Sequence, residues 1–382
     1  MQSFGFSQAD VSLSNWRKAP YNQWSFQHVR EIVPTAPIVS RSASAEAIIS
    51  SGFPSRPLPD EPELIRFLEQ TETDCFLVLR NGQPVWQWCA AHGEPASPHL
   101  LFSVSKSITG IVVGALAELG ELDLDALVTA YVPEAAGSAF GDASVRNLLD
   151  MRVSMDFDEI YGDDKGWGAR YCKAVLWDPA DGEIEKHLTL LLEIKKGLEP
   201  HGGAFRYRSA NSDLLGVVVA RAAGQSFQDT ARDVLFGRLG CSGESYVTVD
   251  SEGTAQAAGG IACTIADLAR IGEIMRCEGA LGGKQVVPAS FVHDTLSGGD
   301  RTAWKLGDFA ASMPGGSYRN QWYLSHNDDG RFHAVGIHGQ WLYVNPARGV
   351  TIAKLSSQAV PKDDSTNATC LATFDDLARS LA

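Results

Sequence analysis

The stretch Leu101-Phe102-Ser103-Val104-Ser105-Lys106-Ser107-Ile108 decides how the rest of this 382-residue chain is read. From it, Ile108, Ile111, Val112, Ala115, Leu116 and Leu119 recur at i, i+3, i+4 spacing, which predicts an apolar helix with Gly120 as its C-terminal stop. Ser103 then stands at the helix start, with Lys106 three residues on along the same face. A serine hydroxyl is a poor nucleophile at neutral pH. A lysine that loses its charge by burial can take the proton, and first-turn amides can help stabilise an oxyanion. The motif alone decides nothing. With 33 serines and 11 lysines in the chain, about one Ser-x-x-Lys is expected by chance, and a helix-capping serine with a surface lysine gives the same letters.

Upstream, Cys75 to Arg80 and Pro84 to Trp88 are apolar runs joined by Asn81-Gly82, a strong hairpin signal. The first seventy residues, broken by Pro34, Pro37, Pro54, Pro57, Pro59 and Pro62, read as a wrapping arm. From 121 to 258 the chain turns to short helix-like segments: Leu122 to Tyr131, Val145 to Met151, Leu188 to Ile194 and Asp213 to Ala223. Beyond Gly259 a helix (Thr264 to Arg276) precedes β-rich stretches at Gln321 to Leu324, Phe332 to Gly336, Trp341 to Val344 and Val350 to Leu355, and Thr373 to Leu381 reads as a closing helix. Strands at both ends and helices between them predict an α/β sheet domain, 1–120 with 259–382, interrupted by a helical domain, 121–258.

Composition narrows the function classes. Hydrophobic residues make up 44% and charged residues 20%, as in an ordinary soluble protein. A net charge of −14 argues against nucleic acid or an anionic membrane as partner. No apolar run reaches the length of a membrane span, and Met1 to Ala19 lacks a signal-peptide core. Seven cysteines without a Cys-x-x-Cys pair read as reduced thiols of a cytoplasmic protein, with no metal site.

Three further segments could carry chemistry. In Phe205-Arg206-Tyr207-Arg208-Ser209-Ala210-Asn211, a tyrosine near Lys106 would have its phenolate favoured and could pass a proton; a core tyrosine at a helix mouth fits equally well. In Gly336-Ile337-His338-Gly339-Gln340, glycines beside a strand let a ligand approach the backbone, and His338 is either a base or a hydrogen-bonded structural residue. Ala258-Gly259-Gly260 to Thr264 is a second glycine-rich approach, or a turn followed by a threonine cap. The Gly-x-Ser-x-Gly elbow of α/β-hydrolases is missing, as are His-Glu-x-x-His, a complete Walker loop and the Rossmann fingerprint.

In order and spacing these elements resemble the serine β-lactamase and penicillin-binding-protein superfamily from about Phe76 to the C-terminus. The branch most similar holds class C β-lactamases, family VIII carboxylesterases and nylon-oligomer (6-aminohexanoate-dimer) hydrolases. The similarity to the last runs through Ser103 to Ser107, Val112 to Leu116, Tyr131 to Glu134, Ser209-Ala210-Asn211, Asp267 to Arg270, Gly336 to Gln340 and Lys354 to Ser357. The resemblance implies a β-lactamase/transpeptidase-like fold, an antiparallel sheet flanked by helices with an inserted helical domain. It implies Ser103 as acylated nucleophile, Lys106 and Tyr207 as proton relay, and the amides of Ser103 and Ile337 as oxyanion hole. Tyr161 looks like the tyrosine that helps protonate an amide leaving group, and Trp167 like a tryptophan over the site entrance. His338, Gly339 and Ala258 would line the substrate.

Departures from the family pattern limit the transfer. Only Gly162 to Lys165 separates Tyr161 from Gly166-Trp167, a shorter loop than in the nylon-oligomer enzyme, and Ala258 stands before Gly259-Gly260 where that enzyme has a polar residue; both bear on substrate choice. Ile337-His338-Gly339 replaces the Lys-Thr-Gly of β-lactamases and removes a cation that would hold a β-lactam carboxylate. Tyr207-x-x-x-Asn211 replaces the Tyr-x-Asn of class C enzymes. The expectation is a serine hydrolase acting through an acyl-enzyme on small-molecule esters or amides, with no cofactor and with a homodimer left open. The alternatives are a β-lactamase or D-alanyl peptidase, and a catalytically silent sensor module of the same fold.

Overall fold

The computed structural model describes residues 4–39, 58, 60–157, 159, 165–180, 182–240 and 243–381. The strands, in chain order, are β1 (Thr35–Val39), β2 (Thr73–Arg80), β3 (Gln83–Cys89), β4 (His99–Leu100), β5 (Ser245–Thr248), β6 (Ile261–Cys263), β7 (Ala280–Leu281), β8 (Lys284–Gln285), β9 (Ser317–Arg319), β10 (Trp322–Leu324), β11 (Phe332–Gly336), β12 (Gln340–Asn345) and β13 (Val350–Ser356). The helices that matter for the site are α1 (Val104–Glu118), α2 (Trp167–Ala174), α3 (Ser209–Ala223), α4 (Ile265–Arg276) and α5 (Asp364–Ser380).

A seven-stranded antiparallel sheet runs β3-β2-β13-β12-β11-β10-β9. The predicted Asn81-Gly82 hairpin opens it: both residues are left-handed, at φ 49° and 76°, as a two-residue turn matching the strand twist requires. Alternation along the strands sorts side chains to two faces. On one face Phe76, Val78, Trp341, Tyr343 and Ile352 pack beneath α5 through Cys370, Phe374 and Leu377. The Phe374 ring lies 5.8, 5.7 and 5.8 Å from those of Phe76, Trp341 and Tyr343, so its truncation to Ala would cost about 3–5 kcal/mol. On the other face Leu77, Leu79, Leu342, Val344, Ala353 and Leu355 meet α1 and α4. An antiparallel sheet flanked by helices on both faces is the arrangement expected from the sequence.

A four-stranded sheet, β1-β5-β6-β4, lies at the α1 end. β5 falls inside the segment read as helical and joins β1, from the N-terminal arm, to β6. That arm also seats Trp16 and Phe26 against Trp177 and Phe102, beside Ser103. Pro54, Pro57 and Pro59 lie outside the described residues.

α1 is buried from Val104 to Leu116, so it is apolar all round and central rather than amphipathic. It ends as predicted: Gly120 is left-handed, and the Gly120 and Glu121 amides donate back to Ala117 and Leu116 at 3.1 Å each. Two readings shift. Leu122 to Tyr131 holds only the short 3-10 turn Val128–Ala130, because Asp123 bends the chain locally by accepting from the Asp125 amide. The closing helix begins at Asp364 and not Thr373, since Asp363 caps the amides of Ser365 and Thr366 ahead of a stretch of weak helix formers. Among the described residues no helix is long and apolar enough to cross a membrane.

Candidate active site

Ser103 sits where a strained turn meets the start of α1. Phe102 before it is left-handed at φ 46°, a conformation that costs a non-glycine residue roughly 1–2 kcal/mol. Packing holds it there: the Phe102 ring lies 4.9 Å from Phe26, 5.8 Å from Trp177 and 5.1 Å from His338. The helix start is pinned on both sides, by Ser105 Oγ accepting the Ile261 amide at 3.1 Å and by Ser107 Oγ donating to the Gln321 carbonyl at 2.6 Å.

Helical spacing then places Lys106 beneath the serine. Its side chain is 2% exposed, and Nζ donates to Ser103 Oγ and to the Ala258 carbonyl, each at 3.0 Å. Tyr207 closes the other side, its ring centroid 5.1 Å from Lys106 Nζ. The residue is buried, with its amide tied to Asp308 at 2.9 Å and its ring against Phe309 and Tyr323. The end of β11 presses on the serine from a third direction. A Cβ at Gly336 would stand 2.6 Å from the Leu101 carbonyl oxygen and 3.1 Å from the Ser103 nitrogen, so glycine is what lets Ile337 follow so closely.

Two cavities meet at Ser103 and Ile337. One, of about 460 Å³, is aromatic, with Tyr207, Trp304, Phe309, Tyr323 and Trp341 in its wall. The other, of about 560 Å³, carries Lys106, Trp167, Tyr171, Ala258 and Gly259, with Arg17, Glu159 and Asp178 supplying charge. Arg17 is already neutralised there by Asp178 at 2.5 Å. The Glu159 carboxylate accepts from the Ser209 amide at 2.5 Å and hydroxyl at 2.7 Å.

Of the residues singled out by sequence, Ser103, Lys106, Tyr207, Ala258, Ile337 and Trp167 converge here. Tyr161 lies outside the described residues. His338 and Gly339 do not line either cavity. His338 Nδ1 pairs with the Gln358 carbonyl at 2.6 Å, and burial pushes its pKa down to about 4, so it is neutral and engaged with the backbone rather than with either cavity. The aromatic wall was missed because Trp304, Phe309 and Tyr323 are scattered in sequence, with no spacing that joins them to Ser103. Among the described residues no cluster of three or more His, Cys, Asp or Glu is placed to hold a metal ion.

The chain belongs to the beta-lactamase family: a family model described as Beta-lactamase matches residues 66–372. Over 365 residues it is 37% identical to a 6-aminohexanoate-dimer hydrolase of Paenarthrobacter ureafaciens, covering 94% of this chain and 91% of that protein. A solved Bacillus anthracis structure, provisionally assigned as a 6-aminohexanoate-dimer hydrolase, superposes with a TM-score of 0.84 at 26% identity over 98% of both chains. A family VIII carboxylesterase shares the fold at a TM-score of 0.60 and 13% identity, over 84% of this chain and 95% of that one. The chain is a serine hydrolase of this family.

Proposed function

We propose that Ser103 is the nucleophile of an acyl-enzyme mechanism, with Lys106 as the base and Tyr207 as its relay. The observation that carries this is the 3.0 Å contact between Ser103 Oγ and a lysine nitrogen that is almost wholly buried. Lys106 takes the serine proton as Oγ attacks the carbonyl carbon, and the proton returns through Tyr207 to the departing oxygen or nitrogen. The amides of Ser103 and Ile337 bind the oxyanion, and water then releases the acid. Tyr161 adds a proton path to an amine leaving group.

The substrate lies across Ser103 with one arm in each cavity, Trp167 and Ala258 flanking the polar side. Small esters turn over most readily, since an alkoxide leaves without the protonation an amine needs. Linear amides of the aminohexanoate kind come next, supported by the 37% identical relative. Strong β-lactamase activity is disfavoured, because neutral His338 offers no cation to a β-lactam carboxylate. Seven dispersed cysteines without a Cys-x-x-Cys pair fit a cytoplasmic enzyme.

The test is a hydrolysis panel of p-nitrophenyl esters, nitrocefin and 6-aminohexanoate dimer, run with the wild type and Ser103→Ala. Esters should be hydrolysed, the dimer more slowly and nitrocefin least, all dependent on Ser103. Ester turnover surviving in Ser103→Ala would remove the central assignment.

A further inference from the structure

Asp213, in the second turn of α3, is fully buried. Its Oδ1 accepts the Ala258 amide at 2.9 Å and its Oδ2 accepts the Tyr171 hydroxyl at 2.7 Å, with His187 Nε2 3.4 Å from the same oxygen. The carbonyl of that same Ala258 is what accepts Lys106 Nζ. One residue upstream, the Ala257 carbonyl accepts the Thr109 hydroxyl at 2.9 Å, so the 257–258 peptide is clamped between α1 and α3. A Cβ on Gly216 of α3 would come within 2.6 Å of the Ala257 methyl, so glycine is what lets the helix pack this closely on the strap it holds.

The other end of the chain of contacts reaches the second cavity. Tyr171 stacks on Trp167 with centroids 5.0 Å apart, and both rings are cavity wall. Gln256 Nε2 donates to the Tyr171 oxygen at 2.9 Å, which leaves the phenol proton for Asp213. Burial and then the Asp213 charge hold the Tyr171 phenol well above its ordinary pKa, so it stays a neutral donor.

We infer that Asp213 is a positioning residue for the reaction: it fixes the Ala258 carbonyl that aims Lys106 at Ser103, and through Tyr171 it ties that aim to the Trp167 wall of the substrate cavity. This rests on the roles proposed above for Ser103 and Lys106. When Lys106 takes the serine proton it becomes an ammonium in a buried site, and it needs a fixed acceptor at that moment. The Ala258 carbonyl is that acceptor, held on its amide side by an anion. Occupancy of the second cavity would press on Trp167 and Tyr171 and be felt three hydrogen bonds later at the base. A purely structural carboxylate would satisfy the same buried donors without affecting nucleophile activation.

The experiment uses the full chain and two readouts of Ser103: the acylation burst with a p-nitrophenyl ester, and the second-order rate of labelling by a fluorophosphonate. Losing a charged hydrogen-bond acceptor should slow both by about 10- to 100-fold in Asp213→Asn, with KM within about 3-fold of wild type. Tyr171→Phe, which keeps the stacked ring, should slow both by about 2- to 10-fold, and the double variant should lose much less than the product. Glu273→Gln, a buried carboxylate on α4 facing Arg276 and Thr351, is the comparison: thermal stability should fall with the two rates unchanged.

Rates in Asp213→Asn and Tyr171→Phe within about 2-fold of wild type, whatever their melting temperatures, would show a structural carboxylate and overturn the inference. If Asp213→Asn does not fold, Tyr171→Phe decides alone. Activity surviving in Ser103→Ala or Lys106→Ala would instead overturn the proposed site, a separate failure.

Discussion

Gly336→Ala tests whether the end of β11 sets the oxyanion geometry. The backbone there is extended, at φ −123° and ψ 152°, so alanine brings no torsional strain and the effect is one of contact alone. The new methyl would stand 2.6 Å from the Leu101 carbonyl oxygen, 3.1 Å from the Ser103 nitrogen and 3.2 Å from the Gln340 Cβ. Relief to ordinary contact requires β11 and the Leu101–Ser103 backbone to part by about 0.4–0.8 Å, and Ile337 moves with β11. Full loss of one oxyanion donor costs about 10²–10³ in kcat, so a displacement of this size should cost about 30- to 100-fold with little change in KM. Overpacking should also remove about 1–3 kcal/mol of stability. The assay is steady-state ester hydrolysis beside a thermal melt. The comparison is Gly110→Ala, whose methyl meets the Asn320 carbonyl at 2.3 Å about two turns along α1 from Ser103 and should destabilise without the selective loss of kcat. A folded Gly336→Ala enzyme with kcat within about 3-fold of wild type would refute the reasoning.

His338 is held near pKa 4 by burial, below its unfolded value of 6.5, so its contribution to stability is present above pH 6.5 and is lost as pH falls toward 4. His338→Asn tolerates the left-handed backbone and keeps a donor for Gln358, so urea unfolding at pH 7 and 4.5 should show about 2–3 kcal/mol less acid loss than wild type; equal losses would contradict this. Lys106→Ala and Tyr207→Phe should each slow acylation by about 10²-fold or more, and together by far less than the product, because both act on one proton path. Near-normal rates in Tyr207→Phe would remove it from that path. Tyr161→Phe should depress hydrolysis of an amide much more than that of an ester with the same acyl group, and equal losses would make Tyr161 a wall residue.

The parts of this molecule legible in sequence are those set by local periodicity. The α1 stripe, the Asn81-Gly82 turn and the alternating strands after 330 each fix their own conformation within ten residues or so, and the structure keeps all three. Lys106 was legible for the same reason, since three residues along a helix is a local distance. His338 shows where locality fails. A histidine between glycines beside a strand is compatible with a base in the cleft, and only the Gln358 carbonyl, twenty residues on, turns it away. The aromatic cavity likewise draws on β10, β11, β12 and α5, and no pattern in any one of them announces the others.

Ala258 makes the same point from the other side. As a letter in Ala-Gly-Gly it suggests only a tight turn, and its methyl does no chemistry. Its backbone holds Lys106 by the carbonyl and Asp213 by the amide, and neither bond depends on what side chain position 258 carries. A site assembled from main-chain groups is specified by whatever fixes the main chain. Here that is Thr109 on α1, Asp213 on α3 and the close pass of Gly216 over Ala257. Substitutions at 258 should therefore alter substrate choice through the cavity wall while leaving Ser103 reactive, whereas substitutions at 213 should slow Ser103 toward every substrate. Fluorophosphonate labelling of Ala258→Asn beside Asp213→Asn distinguishes these: near-wild-type labelling in the first and slow labelling in the second is the pattern the geometry requires, and slow labelling in both would mean that the side chain at 258 matters to the nucleophile after all.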